Sequence, residues 1–127
     1  GNLARAVLEA LAFESAIAID AMSLPQEQNS PVIVFGGGTG SQTALQIKAD
    51  VTGRVYESLG DISPANLATA LLGALAVGEI DEVQNTIRAH LNPTEVYAPH
   101  ETRNAQYKAF LKTYQEAVSL LAKFRST

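Results

Sequence analysis

The residues with the clearest chemical potential lie together at Gly36-Gly37-Gly38-Thr39-Gly40-Ser41. Glycines allow unusual backbone angles and let a ligand approach the main chain. Such a run just ahead of a helix would place unpaired N–H groups and the positive end of the helix dipole over an anion, so phosphate is the natural guest. Three known arrangements are excluded. No Lys-Ser/Thr pair follows the run, as a Walker A loop requires. The glycines do not fall at G-x-G-x-x-G spacing, so the dinucleotide fingerprint is absent. No G-x-S-x-G nucleophile elbow occurs. By its own residues the run fits a phosphate cradle and a tight strand-to-helix turn about equally.

Other polar residues are weaker candidates. Asp50 has the type of a base or metal ligand, but its place at a helix end suits support of that end and the following turn better. Arg5 and Glu9, one helical turn apart, read as a surface or inter-element ion pair. His90 and His100 have no ligand partners at helical spacing and read as solvated. Asp61, Glu79, Asp81 and Glu82 read as helix-end and loop charges rather than a carboxylate dyad, and Tyr107 and Tyr114 as packing residues.

The elements that must position the glycine run follow from periodicity. Leu3, Val7 and Leu11, extended by Phe13 and Ile17, predict a helix to about Ser23, and Pro25, Asn29, Ser30 and Pro31 then form a break. Val32 to Phe35 is a short β-branched run that predicts a fully buried strand. Ser41 is placed to cap a helix over Gln42 to Val51, which Gly53 ends. Arg54 to Ser58 reads as a second strand. Ser63-Pro64 starts a helix from Ala65 to about Val77 that is apolar nearly all round, which predicts burial between layers, and Gly78 stops it. Asp81 is expected to cap a helix reaching His90. Asn92-Pro93 and Pro99 mark an irregular connector, and a last helix, about Glu101 to Lys123, carries Tyr107, Phe110, Leu111, Tyr114, Val118 and Leu121 as a docking stripe. This order implies α/β packing with parallel strands. Two strands make a poor sheet, and the chain opens straight into helical periodicity, so further strands are expected from outside it.

The chain has 127 residues, of which 46% are apolar, enough for one core. A net charge of −4, with Lys and Arg scattered, argues against nucleic acid and anionic membrane as partners. The absence of cysteine rules out disulfides, thiolate metal sites and Cys nucleophiles, and suits a cytoplasmic protein. Leu3 to Ile19 contains Arg5, Glu9 and Glu14 and so does not read as a membrane helix or signal peptide.

Taken in order, these segments resemble the C-terminal domain of FGGY carbohydrate kinases. Gly36 to Ser41, then Gln46-Ile47, Ala49-Asp50-Val51 and Gly53, is similar to the family's Gly-Gly-Gly-Ser-x-Ser and Gln-Ile-x-Ala-Asp-x-x-Gly at the same spacing. Arg5-Ala6-Val7-Leu8-Glu9 with Phe13 resembles the preceding Arg-Ala-x-x-Glu-Gly-x-x-Phe helix. Leu67 to Gly78 is similar to the Leu-Gly-Ala-Ala helix that ends in Ala-Val-Gly, and Tyr97, Pro99, Tyr107 and Tyr114 to the closing Pro…Tyr…Tyr pattern. The resemblance implies an actin-like ATPase (ribonuclease H-like) fold, of which residues 1–127 would be a single partial domain, lacking its early strands and the sugar-binding first domain. It implies ATP and Mg2+, held mainly by parts outside this chain, and transfer of the γ-phosphate to a sugar or polyol hydroxyl. Gly36, Gly37, Gly38, Thr39, Ser41 and Gln42 would face the nucleotide, with Gln42 near adenine. The family's catalytic aspartate belongs to the first domain, so the isolated chain is expected to be inactive. A homo-oligomer is compatible with the resemblance. Two departures bear on nucleotide affinity: Ala68 stands where the family has glycine in Leu-Gly-Ala-Ala, and Ala10 replaces the glycine of the first helix motif. The alternative is a non-catalytic actin-like module for nucleotide sensing or assembly. A Rossmann-like binding domain fits less well, since no acidic ribose-binding residue follows a second strand.

Overall fold

The computed structural model describes residues 1–22, 30–60, 62–90 and 92–124, with the side chains of 88–90 left aside. The elements run α1 (Asn2–Ala21), β1 (Val32–Val34), a 3-10 turn (Gly36–Gly40), α2 (Gln42–Thr52), β2 (Tyr56–Ser58), α3 (Pro64–Ala76), α4 (Val83–His90), β3 (Glu95–Tyr97) and α5 (Glu101–Phe124). The predicted end of the first helix at Ser23, the break at Pro25 and Asn29, and Asp61 lie outside the described residues.

Helix α2 is the centre of the molecule because it has two apolar faces. Ile47 and Val51 pack with Ala12 and Phe13 of α1 and Tyr107 of α5. Leu45 and Ala49 pack with Tyr56 and Tyr97 of the sheet, flanked by Val32 and Val34. A helix buried on two sides needs sharp ends, and both are specified locally. The Ser41 hydroxyl accepts the Ala44 N–H at 3.3 Å. Gly53 takes the left-handed conformation (φ 69°) and returns its N–H to the Ala49 carbonyl at 2.9 Å. A Cβ on Gly53 would also come within 2.9 Å of the Asn104 amide on α5.

The sheet is three-stranded in the order β1-β2-β3. Strand β1 runs parallel to β2, with Val32 opposite Tyr56 and Val34 opposite Ser58. Strand β3 pairs antiparallel with β2, Tyr97 opposite Tyr56. The expectation of parallel strands therefore holds for the first pair alone. The segment expected to be an irregular connector supplies the third strand: between Pro93 and Pro99, Glu95 and Tyr97 face α2 while Val96 faces away, the period of two that marks a strand.

Further expectations need correction, and the first four concern the side of the molecule away from α2. Strand β1 is not fully buried, since Ile33 is 45% exposed on the outer face and Phe35 beyond it 54%. In α1 the packed face is Leu8, Ala12, Phe13 and Ala16, whereas the predicted stripe of Leu3, Val7 and Leu11 lies on the exposed side. Helix α3 buries only Leu71, and Leu72 and Leu75 are exposed, so it is not sandwiched between layers of this chain. Helix α5 docks through Tyr107, Leu111 and Tyr114, but Phe110, Val118 and Leu121 remain exposed. Each of these helices has apolar residues around much of its circumference, and periodicity alone does not say which face this chain covers. Helix α4 begins at Val83, so Glu82 rather than Asp81 stands immediately before it. The starts and stops of α3 are as predicted: Ser63 caps the Asn66 N–H at 3.4 Å, Pro64 opens the helix, and Gly78 (φ 77°) follows its end.

Candidate functional site

The glycine run occupies the carboxyl end of β1, where parallel strands of an α/β sheet present their ligand loops. It folds as a 3-10 turn from Gly36 to Gly40. Gly36 has φ 77°, a conformation that excludes most side chains. Its N–H donates to the Gly60 carbonyl at 3.1 Å, and the Leu59 N–H donates to Val34 at 2.9 Å, which fastens the turn to the loop leaving β2. The two hydroxyls of the run shape the turn. Thr39 is buried and donates to the Gly36 carbonyl at 2.7 Å, and Ser41 caps α2. Over Gly37, Gly38 and Gly40 there is open space, with nothing within 4 Å of where a Cβ would stand. With Ser41 satisfying the third N–H of α2, the N–H groups of Gln42 and Thr43 have no intrahelical acceptor.

Gln42 is fixed by a neighbour that the sequence did not disclose. Its Nε2 donates to Glu95 Oε1 at 2.9 Å. The other oxygen of Glu95 takes the Tyr97 hydroxyl in a short bond. The Tyr97 hydroxyl bond and then that of Gln42 hold the Glu95 carboxyl below its ordinary range. The alternation of Glu95 and Tyr97 could mark them as one face of a strand, but nothing in the spacing points from Glu95 to Gln42.

A second cluster lies at the other end of α2. Asp50 is 2% exposed. Its Oδ1 accepts the His100 backbone N–H at 2.8 Å, Gln46 Nε2 at 3.0 Å and His100 Nδ1 at 3.0 Å, and its Oδ2 accepts Arg103 Nη1 at 3.1 Å. Its backbone carbonyl accepts Asn104 Nδ2 at 2.9 Å. Burial by itself would raise the Asp50 pKa, but the bonds from His100, Gln46 and Arg103 outweigh it and leave the group below its ordinary value. Asp50 thus does more than support its own helix end: it pins the start of α5. His100, expected to be solvated, has its ring on Asp50, while the side chain of His90 lies outside the described residues. Gln46 Nε2 also donates to the Ala98 carbonyl at 2.9 Å, which ties β3 to the same clasp.

The ion pair of Arg5 and Glu9 lies within α1 and is joined to α5 by the Tyr107 hydroxyl. Arg5 Nε donates to Glu9 at 2.9 Å and Nη2 to the Tyr107 hydroxyl at 3.1 Å, and that hydroxyl donates to Glu9 at 2.8 Å. Tyr114 likewise donates to Glu14 at 2.7 Å, and Phe13 lies between the two tyrosine rings, 6.1 and 5.2 Å from their centroids. Both tyrosines are packing residues with anchored hydroxyls.

The sequence profile of the C-terminal domain of the FGGY family of carbohydrate kinases matches residues 1–80, well over half of the chain. The chain belongs to this family. Among curated relatives it is 29% identical over 129 residues to the xylulose kinase of Escherichia coli, covering 95% of this chain and 26% of that protein. It is 33% identical over 78 residues to the glycerol kinase of Lactobacillus delbrueckii, covering 61% of this chain and 16% of that one. The crystal structure of xylulose kinase from Rhodospirillum rubrum superposes with a TM-score of 0.78 at 22% identity, over 100% of this chain and 25% of the other. The chain therefore spans about a quarter of the length of the xylulose kinases it matches. Its fold is a helix-rich part of the actin-like ATPase domain that these kinases share. No described helix of this FGGY domain is long and apolar enough to cross a membrane.

Proposed function

We propose that this chain is the ATP-binding part of a carbohydrate kinase that transfers the γ-phosphate of ATP to a sugar or polyol hydroxyl. The observation that carries the reading is the open turn over Gly37, Gly38 and Gly40 at the carboxyl end of β1, continuous with the free N–H groups of α2. Those groups fit the phosphates of a nucleotide in size, polarity and accessibility. Gly36, Thr39 and Ser41 hold the turn's shape, and Gln42 is the polar side chain next to it. A bound nucleotide would supply the phosphoryl group, and the loop would hold it and stabilise its charge by positioning alone. For Mg2+ the chain offers little. No group of three or more His, Cys, Asp or Glu side chains converges among the described residues, and Asp50 is buried and taken by four donors. The ion would ride on the phosphates and on ligands from outside this chain. The sugar, the catalytic aspartate and the closure that excludes water are likewise assigned outside it, and the chain alone is predicted to be inactive.

The test is a titration of the 127-residue chain with MgATP, followed through backbone amide NMR signals. Shifts confined to residues 36–43 are expected, and Gly38→Val, which fills the open space, should abolish them while leaving the spectrum otherwise intact. Absence of any localised change up to about 5 mM nucleotide, weaker than ordinary cellular sites, would overturn nucleotide binding by this chain. Sugar-dependent phosphotransfer by the chain alone would overturn the assignment of the catalytic residues elsewhere.

A further inference from the structure

Along α2, from Gln42 and Thr43 beside the glycine turn to Asp50, a cavity of ≈510 Å3 opens towards α1, α5 and Tyr97 of β3. Arg5 and Arg103 enter it from two different helices, and Gln42, Thr43 and Gln46 line its α2 side. The same two arginines also border a second cavity of ≈360 Å3, beside Glu9 and Tyr107. We propose that the Arg5–Arg103 cavity, which adjoins the glycine turn at Gln42 and Thr43, is a binding site of its own for a small multiply charged oxyanion, an organic phosphate or a di- or tricarboxylate.

The argument is one of donors and acceptors. Each guanidinium carries five N–H donors in a rigid fork. Arg5 uses Nε on Glu9 and Nη2 on Tyr107, and Arg103 uses Nη1 on Asp50. Three bonds thus engage three of ten donors, and Nη1 of Arg5 together with Nε and Nη2 of Arg103 make no bond among the described residues. Both side chains are more than half exposed, at 62% and 53%. The one carboxylate on the wall, Asp50, is already held by His100 and Gln46 as well as Arg103. It does not need the whole charge of Arg103.

A water-filled cleft with two helix-pinning arginines is the plain alternative, and the bonds to Glu9, Tyr107 and Asp50 are enough to explain why the arginines are ordered. They leave two forks on the wall of one cavity with most of their donors uncommitted. Forks of this kind match the planar edge of a carboxylate or a phosphate, whereas an ammonium would act only as a point charge. A ligand held by both would tie α1 to α5 across α2, so occupancy should raise the melting temperature.

The experiment is isothermal titration of pyrophosphate and, separately, citrate into the 127-residue chain. It is read together with the side-chain Nε–H NMR signals of Arg5 and Arg103. Saturable binding of one ligand per chain is expected, with both arginine signals moving, a binding constant lowered about tenfold or more in Arg5→Gln/Arg103→Gln, and a smaller loss in Arg5→Lys/Arg103→Lys. Binding of one probe only assigns the ligand class to phosphates or to carboxylates. The lysine pair decides the matter if the glutamine pair does not fold, because it keeps the charge and removes the fork. No saturable binding, stationary arginine signals, or binding that is lost with Gly38→Val but kept in both arginine pairs would overturn the proposal. The last outcome would place the anion at the glycine turn.

Discussion

The two sides of helix α2 differ from the far side of the molecule in how much of their apolar surface this chain covers. Around α2, Phe13, Ile47, Val51 and Tyr107 form one sealed cluster, and Leu45, Ala49, Tyr56 and Tyr97 another. Beyond the sheet and along α3, residues of the same type (Ile33, Leu72 and Val96) lie open. Composition is therefore not what separates the regions. The difference lies in partners: the side chains around α2 find theirs among the described residues, and those on the far side remain exposed. This agrees with a chain that spans about a quarter of the xylulose kinases it matches.

That contrast can be broken most sharply by truncation. Phe13→Ala should cost about 3–4 kcal/mol of unfolding free energy in urea, because it opens a cavity between two helices and two tyrosine rings. Leu72→Ala on α3 should change it by less than about 0.5 kcal/mol. Equal losses would mean that α3 is covered in solution. Asp50→Asn should cost about 2 kcal/mol, since bonds to a buried charged acceptor are weakened. It should also change the pH response. The folded pKa of Asp50 is depressed, so its contribution is fully present above the ordinary carboxylate pKa and is lost as pH falls through the folded value. The wild type should therefore lose stability in acid more steeply than the variant, as read from denaturant midpoints at a series of pH values. Gly53→Ala should cost about 1 kcal/mol for the left-handed backbone, and Asn104→Ala should relieve the part due to the clash with the Asn104 amide. The smallest effect is expected at Gly38→Ala, which meets nothing in this chain: stability should be unchanged within error, whereas the proposed nucleotide site should weaken.

Much of this was legible in the sequence because it is encoded locally. Ser41, Gly53, Ser63, Pro64 and Gly78 fix their helix ends by hydroxyl capping, left-handed backbone or ring geometry, and each is where those rules put it. The glycine turn was placed for the same reason. What was not legible depends on pairing at a distance. Strand β3 is three residues long and exists because Tyr56 and the α2 face are waiting for Tyr97. The clasp on Asp50 joins residues about fifty positions apart, and no spacing rule connects Gln46 and Asp50 to His100 and Arg103. The exposed faces of α1 and α3 were misjudged because an apolar face announces that something covers it, but not whether that cover belongs to the same chain.

The docking of α5 on α1 has a consequence for how the polypeptide is made. The bonds from Arg5 to Tyr107 and from Tyr114 to Glu14 close loops of 102 and 100 residues. At a synthesis rate of about 5–20 residues per second, the first helix waits roughly 5–20 s after it leaves the ribosome before its last partner follows. Until then the partners of Phe13 from α2 in the same cluster are Ile47 and Val51, which emerge much sooner. The pair α1–α2 is thus the natural early intermediate, and an interruption of translation before Tyr107 would leave it with one flank open to chaperones and proteases.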